Sequence, residues 1–193
     1  MGAELKIDEI LDVALEVFCR YGFRKTAMKD IAEAAGVSRA ALYLHFDGKE
    51  ALFRAGSQRA HALVLEHVDA ALDADGPVID RIDAAMNAFL QGLMAQISAS
   101  PHGKELFESD LALSGEVTRA AREHLVQRIS AALDDAAATG EIDLSSIGAS
   151  STEIATLALT TVEGIKAVHG GGQSLAAGSS LFLRILGAAV KPS

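Results

Sequence analysis

Residues 25–52 read KTAMKDIAEAAGVSRAALYLHFDGKEAL, and this stretch decides the fold. It predicts a short helix over Ala27–Ala35, a glycine turn, and a second short helix that ends near Phe46. Thr26 and Ser38 are the expected N-caps, because their hydroxyl oxygens can accept hydrogen bonds from the first backbone N–H groups of each helix. Two short helices joined by a tight turn are typical of a helix-turn-helix.

The apolar residues of this stretch have the spacing that such a motif needs. Their side chains recur on one face of each predicted helix, and a small residue, Ala32, falls where the two helices would cross. The residues expected to face inward are Ile31, Val37, Leu42 and Phe46.

The opposite face of the second helix suits DNA better than water. Leu44 lies beside Ala40 and Ala41, and small apolar groups can contact thymine methyl groups in a major groove. Arg39 is near the helix N-terminus, within reach of a guanine edge or a phosphate. Side chains that can bind backbone phosphates flank this face, namely Tyr43, His45 and Lys49.

Lys29 is the third residue of the first predicted helix, where a cation opposes the helix dipole. A phosphate bound at that helix end would explain the lysine. The alternative is a side chain that simply extends into water.

The charge distribution points to the same region. The protein has 193 residues and a formal net charge of −9, yet residues 20–56 carry seven Lys or Arg and four acids, a local charge of +3. A basic segment in an acidic chain is a reason to expect a partner with phosphates there.

The composition predicts an all-α protein, because Ala and Leu greatly outnumber β-branched residues and only three prolines occur. A single cysteine, Cys19, allows no internal disulfide. The acidic N-terminus does not resemble a signal peptide, and glycines interrupt the longest uncharged run, 167–183. We therefore expect a cytoplasmic protein without a membrane span.

Patterns typical of enzymes are missing from the sequence. Gly48-Lys49 and Gly103-Lys104 are followed by Glu rather than by Ser or Thr, so neither ends a P-loop. No HExxH or GxSxG motif occurs, and the six histidines lack the spacing of metal ligands. We expect no catalytic residues, no metal and no cofactor.

Residues 25–52, with the preceding segment ILDVALEVFCRYGF (10–23), resemble the DNA-binding domain of the TetR family of transcriptional repressors. The resemblance covers about residues 8–55. It implies phosphate contacts by Thr26, Tyr43, His45 and Lys49, and base contacts by Arg39, Ala40 and Leu44; Lys29 and Ser38 are added as DNA-facing residues. The chain departs from the family at Ala40, where many members have glycine, and at Gly48, where a serine or asparagine is common.

The rest of the chain is predicted to be helical, which gives nine helices in two domains, 1–48 and 49–193. The helices are expected over 8–21, 27–35, 38–46, 49–72, 77–99, 101–114, 116–139, 150–168 and 174–190. Ser100-Pro101 is a predicted helix start, and Ser150 with Glu153 is a predicted capping box.

The resemblance also implies a homodimer and an effector pocket in the second domain. The last two helices would form the dimer interface through Ile154, Leu157, Ala158, Thr161, Val162, Leu181, Phe182, Ile185 and Leu186. The pocket would be lined by Met86, Phe89, Leu90, Leu93, Met94, Phe107, Leu111, His124 and Ile165. For both sets the alternative is ordinary packing in the core of a monomer. The scarcity of aromatic residues favours an apolar or acyl effector.

The expected function is that of a dimeric repressor which binds a near-palindromic operator and is released by an unidentified small molecule. Two alternatives stay open: a transcriptional activator on the same scaffold, and a helical small-molecule-binding protein that does not bind an operator.

Overall fold

The computed structural model describes residues 7–92, 97, 99–145, 147–169 and 173–192. Within these residues every regular element is a helix, which confirms the all-α prediction. The helices are α1 (Ile7–Tyr21), α2 (Met28–Ala34), α3 (Arg39–His45), α4 (Lys49–Leu72), α5 (Val78–Gly92), α6 (Gly103–Ala138), α7 (Ser151–His169) and α8 (Gln173–Ala189).

The described chain has eight helices rather than the predicted nine. The two helices expected to meet at Ser114-Gly115 are one element, α6, which has a kink at Ser114 (φ −132°, ψ 16°). The helix predicted to begin at Pro101 begins at Gly103. Ser100 still satisfies the chain before it, because its Oγ accepts a hydrogen bond from the His102 N–H at 3.0 Å.

The chain forms two compact units. Unit 1 comprises residues up to 63 together with 93–120, and unit 2 comprises 64–92 and 121–193. This division differs from the predicted boundary after residue 48. The reason is that Leu52, Phe53 and Leu106 are buried in the same cluster as the first three helices.

The core of unit 1 is an apolar cluster to which α1, α2, α3, α4 and α6 all contribute. Phe18, Phe23 and Phe53 pack as a triad with ring centroids 5.0–5.6 Å apart. The predicted inward residues Ile31, Ala32, Leu42 and Phe46 are buried in this cluster, and Val37 packs against it. Burial of a large apolar side chain stabilises a fold by about 1.5–3 kcal/mol, so this cluster holds the short helices in place.

Unit 2 is a bundle of helices whose ends are fixed by side chains. The predicted capping box is confirmed: the Glu153 carboxylate accepts hydrogen bonds from Ser150 N (2.9 Å) and Oγ (2.7 Å), and Glu153 N donates to Ser150 Oγ. These bonds hold the pKa of Glu153 below its ordinary value. Small residues allow close helix contacts, since Gly187 of α8 packs on Ile79 of α5.

Candidate nucleic-acid interface

The turn between α2 and α3 depends on a glycine. Gly36 has a φ of +66°, a conformation that side-chain-bearing residues rarely adopt. Val37 N then donates to Ala32 O at 3.0 Å, which closes the turn. The two helices are therefore held in a fixed relationship, as the helix-turn-helix prediction requires.

Ser38 is the N-cap of α3, as predicted. Its Oγ accepts a hydrogen bond from Ala41 N at 3.0 Å. The hydroxyl hydrogen of Ser38 can still be donated to another group, and Ser38 is exposed. The cap fixes where α3 begins and thus which residues form its outer face.

The outer face of α3 has the residues that the sequence analysis placed there. Leu44 is 83% exposed, an unusual environment for a leucine. Arg39, Ala40, Tyr43 and His45 are exposed around it. The Arg39 guanidinium lies 5.9 Å from the centre of the Tyr43 ring, so the two side chains extend along one side of the helix.

Lys29 is also exposed, on the first turn of α2. The N-cap of α2 is Ala27 rather than Thr26, and the Asp30 carboxylate accepts from the Ala27 N–H at 2.8 Å. An acid therefore already satisfies this helix end, which reduces the need for a phosphate to explain Lys29.

Thr26 does not have the predicted environment. Its side chain is only 2% exposed, and its Oγ1 donates a hydrogen bond to Gly22 O at 2.7 Å. A hydroxyl that is buried and engaged with the backbone cannot reach a phosphate. Both roles predicted for Thr26, N-cap and phosphate ligand, are therefore wrong in this structure.

Lys49 is the second correction. Its Nζ donates to Phe23 O (2.7 Å), Thr26 O (2.8 Å) and Arg24 O (3.3 Å), and it lies 4.5 Å from the centre of the Phe23 ring. An ammonium group has three N–H donors, and three carbonyl groups use them. Lys49 therefore joins the start of α4 to the α1–α2 connection, and the structure does not present it to a phosphate.

The residues predicted to line an effector pocket are divided between the two units. Phe107 and Leu111 belong to unit 1, and Leu111 is wrong because its side chain is 74% exposed. Met86 and Leu90 are buried core residues, and Phe89 is half-buried. Leu93 and Met94 lie outside the described residues.

Two further members of that set have structural partners in unit 2. Ile165 packs so closely on α8 that a Cβ on Gly178 would lie 2.8 Å from its Cδ1. His124 Nε2 lies 2.9 Å from Asp69 Oδ1, which also accepts from Arg128 Nε at 2.8 Å. Partial burial raises the pKa of Asp69, but these hydrogen bonds lower it by more, so the Asp69 pKa lies below its ordinary value.

The predicted dimer residues fall into two groups. Ile154, Ala158, Val162 and Leu186 are buried within unit 2, so assigning them to an interface was wrong. They occupy the face of each helix that packs on its own chain. Leu157, Leu181 and Ile185 are exposed, and Thr161 and Phe182 are half-buried.

The sequence analysis missed one exposed apolar residue of this surface, Val168. Leu157, Thr161, Gly164 and Val168 have the spacing i, i+4, i+7 and i+11, which places them along one stripe of α7. Helical spacing alone could have separated this stripe from the buried one. We call Leu157, Val168, Leu181 and Ile185 the exposed apolar stripe.

Among the described residues, no group of three or more His, Cys, Asp or Glu side chains is arranged to hold a metal ion. In the same part of the chain, no helix combines the length and apolar character that crossing a bilayer requires.

Comparison with known proteins agrees with the geometry of the N-terminal helices. Residues 10–55 match the family described as "Bacterial regulatory proteins, tetR family". The N-terminal domain belongs to the TetR family. Of the described helices, α2 and α3 lie wholly inside the matched segment of this TetR-family domain.

Curated relatives of the TetR-family domain carry regulator names. The chain is 37% identical over 70 residues to the probable acrEF/envCD operon repressor of Escherichia coli K12, which covers 35% of this chain and 32% of that protein. It is 48% identical over 44 residues to the transcriptional repressor KstR2 of Rhodococcus jostii, which covers 23% of this chain and 22% of that protein. The matches thus span at most about a third of these relatives.

The fold match extends beyond the TetR-family domain. SmeT, the repressor of the Stenotrophomonas maltophilia multidrug efflux pump SmeDEF, has a TM-score of 0.70 to this structure. The alignment covers 98% of this chain and 92% of SmeT at 24% identity. Beyond residue 55 the likeness concerns the fold alone.

Proposed function

We propose that this protein is a dimeric transcriptional repressor that binds a near-palindromic DNA operator and leaves it when a small molecule binds. The observation that carries the proposal is the outer face of α3 in a TetR-family domain. An apolar residue that is 83% exposed, Leu44, lies there between Arg39 and His45. Exposure of such a side chain has a physical reason if a partner covers it.

In this proposal α3 enters the major groove. Leu44 and Ala40 contact thymine methyl groups, and Arg39 hydrogen-bonds a base edge near the N-terminus of the helix. Tyr43, His45, Ser38 and Lys29 bind phosphates and set the position of the helix without reading the sequence.

A dimer follows from the geometry of DNA. Two α3 helices can read two half-sites only if they are held about 34–36 Å apart, one turn of the double helix. The exposed apolar stripe supplies a surface for a second copy of the chain. Its residues lie on α7 and α8, outside the matched DNA-binding segment.

Release requires the effector to bind better to a conformation that cannot fit the operator, since equal affinity for both conformations changes nothing. We place this effector in the domain 49–193, and Phe89 and His124 remain candidate contacts. Helix α4 is the proposed lever because its residues belong to both units.

The experiment that tests the proposal is selection of fragmented genomic DNA on the purified full-length protein near physiological salt, followed by sequencing. Enrichment of one short inverted repeat is the expected result. Its affinity should fall steeply with salt concentration, because phosphate contacts release counterions. If the folded, ligand-free protein enriches no sequence, the repressor proposal fails and the small-molecule-binding alternative takes its place.

A further inference from the structure

Unit 1 contains a cavity that none of the predicted functions uses. It lies between α1, α4 and the first part of α6, and apolar side chains form most of its wall. Its main lining residues are Leu11, Phe18, Leu52, Phe53, Leu106 and Phe107.

The size of this cavity limits what it can hold. Its volume is about 50 Å³. One water needs about 10–15 Å³ by this kind of measure, and an apolar cavity of about 150 Å³ holds benzene. The cavity therefore accepts a short alkyl group rather than an aromatic ring.

A glycine keeps the cavity open. Gly56 lies within α4 and lines the cavity, and a Cβ built on it would meet no atom within 4 Å. Glycine weakens a helix interior relative to alanine, and close packing does not require it here. The missing side chain leaves space that a bound molecule can fill.

One end of the cavity is polar and negatively charged. Asp110 and Ser57 both line it, and Ser57 Oγ donates to Asp110 Oδ1 at 2.6 Å. Thr118 Oγ1 donates to Asp110 Oδ2 at 3.2 Å, and the His61 ring contacts Ser57 O through Nδ1 at 2.9 Å. In the described part of the chain, Asp110 forms no ion pair with a Lys, Arg or His side chain.

The hydroxyl groups of Ser57 and Thr118 hold the Asp110 carboxylate at the cavity. A carboxylate has about four lone-pair sites, so two hydroxyl donors leave room for another donor. A charged N–H group would form the stronger, charge-assisted hydrogen bond there.

We propose that this cavity binds a primary alkylammonium group, with a short alkyl chain between α1 and α4 and the ammonium against Asp110. The site uses residues of unit 1 and is separate from the effector contacts proposed in unit 2. Binding to it does not depend on whether the protein binds DNA.

The test is a titration of the full-length protein, labelled at leucine methyl groups, with n-butylammonium chloride at constant ionic strength. The expected result is a saturable NMR shift of the Leu11, Leu52 and Leu106 methyl groups. n-Butanol should bind at least about tenfold more weakly and butyrate should not bind, because only the ammonium carries a charge opposite to that of Asp110. The absence of saturable shifts at these methyl groups would overturn the proposal, as would equal binding of the butanol.

Variants assign the two ends of the site. Gly56→Leu fills the cavity and should abolish binding, whereas Ala62→Leu, on the exposed face of the same helix, should leave it unchanged. Asp110→Asn should remove the preference for butylammonium over butanol, and the control Glu108→Gln, exposed on the same helix, should keep it.

If Gly56→Leu does not fold, Gly56→Ala continues the test, because its single methyl group enters space that is open in the structure. It should weaken butylammonium binding at least about threefold. Undiminished binding by both folded Gly56 variants would contradict the proposal. No DNA is present in the titration, so its outcome is independent of the repressor proposal.

Discussion

The Nζ atom of Lys49 lies 2.7 Å from the carbonyl oxygen of Phe23, 26 residues earlier in the chain. With its bonds to the carbonyl groups of Arg24 and Thr26, it ties the first turn of α4 to the segment between α1 and α2. This segment precedes the helix-turn-helix. The charge of Lys49 therefore acts on the shape of the DNA-binding surface rather than on DNA directly.

Replacing Lys49 with methionine tests this role. Lys49→Met should lower the free energy of unfolding by about 1.5–3 kcal/mol, because hydrogen bonds from a charged group are lost. Urea unfolding of the full-length protein measures the change. Lys104→Met, at an exposed position, is the control and should have little effect.

The salt dependence of operator binding separates the two possible roles of Lys49. If it contacted a phosphate, Lys49→Met would reduce the slope of log affinity against log salt concentration by about one. We expect the slope to stay unchanged while the affinity falls. A slope reduced by one in a folded variant would restore the phosphate contact that the sequence resemblance implied.

Leu44 should matter for DNA and not for stability. Leu44→Ser should weaken binding to the selected operator about tenfold, since a side chain buried against bases contributes about 1.5–3 kcal/mol. Its unfolding curve should match that of the wild type, because Leu44 is almost fully exposed in the free protein. Leu111→Ser is the matched control, an exposed leucine outside α3 that should leave DNA affinity intact.

The two apolar faces of α7 should respond differently to a charge. Leu157→Glu changes an exposed residue, so we expect a folded protein that sediments as a monomer at concentrations where the wild type is a dimer. Val162→Glu changes a fully buried residue and should unfold the protein. Ala70→Glu, exposed on α4, is the control. A dimer that persists in Leu157→Glu would place the interface elsewhere.

The cluster of Asp69, His124 and Arg128 predicts how stability depends on pH. Because the folded protein lowers the pKa of Asp69, the ionised carboxylate stabilises the fold. This contribution is fully present above about pH 4, the range of an ordinary Asp pKa, and is lost as the pH falls through the lower folded pKa. Asp69→Asn should therefore reduce stability at pH 7.

The difference between Asp69→Asn and the wild type should shrink as the pH is lowered from 7 to 3. Chemical denaturation at several pH values measures it, with Asp75→Asn, exposed in the loop after α4, as the control. A difference that stays constant over this range would show that the Asp69 charge does not contribute.

Local features of this fold were predictable from sequence because their causes lie within a few residues. Ser38 caps α3 through a bond to Ala41, three residues away, and the Ser150–Glu153 capping box has the same span. The turn at Gly36 follows from the φ that this position needs. The exposed face of α3 then follows from helical periodicity.

Thr26 and Lys49 were not predictable in this way. The motif places both residues near DNA, but hydrogen bonds to carbonyl groups of the α1–α2 connection decide where their side chains lie. For Lys49 the partners are 23–26 residues away. The cavity beside Gly56 is harder still, because three segments that are distant in sequence create it.

The hydrogen bonds that join the end of α1 to the start of α6 limit how this protein can be divided. Ser100 Oγ donates to Cys19 O and Arg24 N donates to the Glu105 carboxylate, both at 2.6 Å, across 81 residues of chain. A fragment that stops before residue 100 lacks these partners, and it also loses the Leu106 side chain from the cluster around α1. A chimaera that grafts the helix-turn-helix onto another regulator should therefore carry residues 97–113 along with it, or inherit a hole beside the helices that are to read DNA.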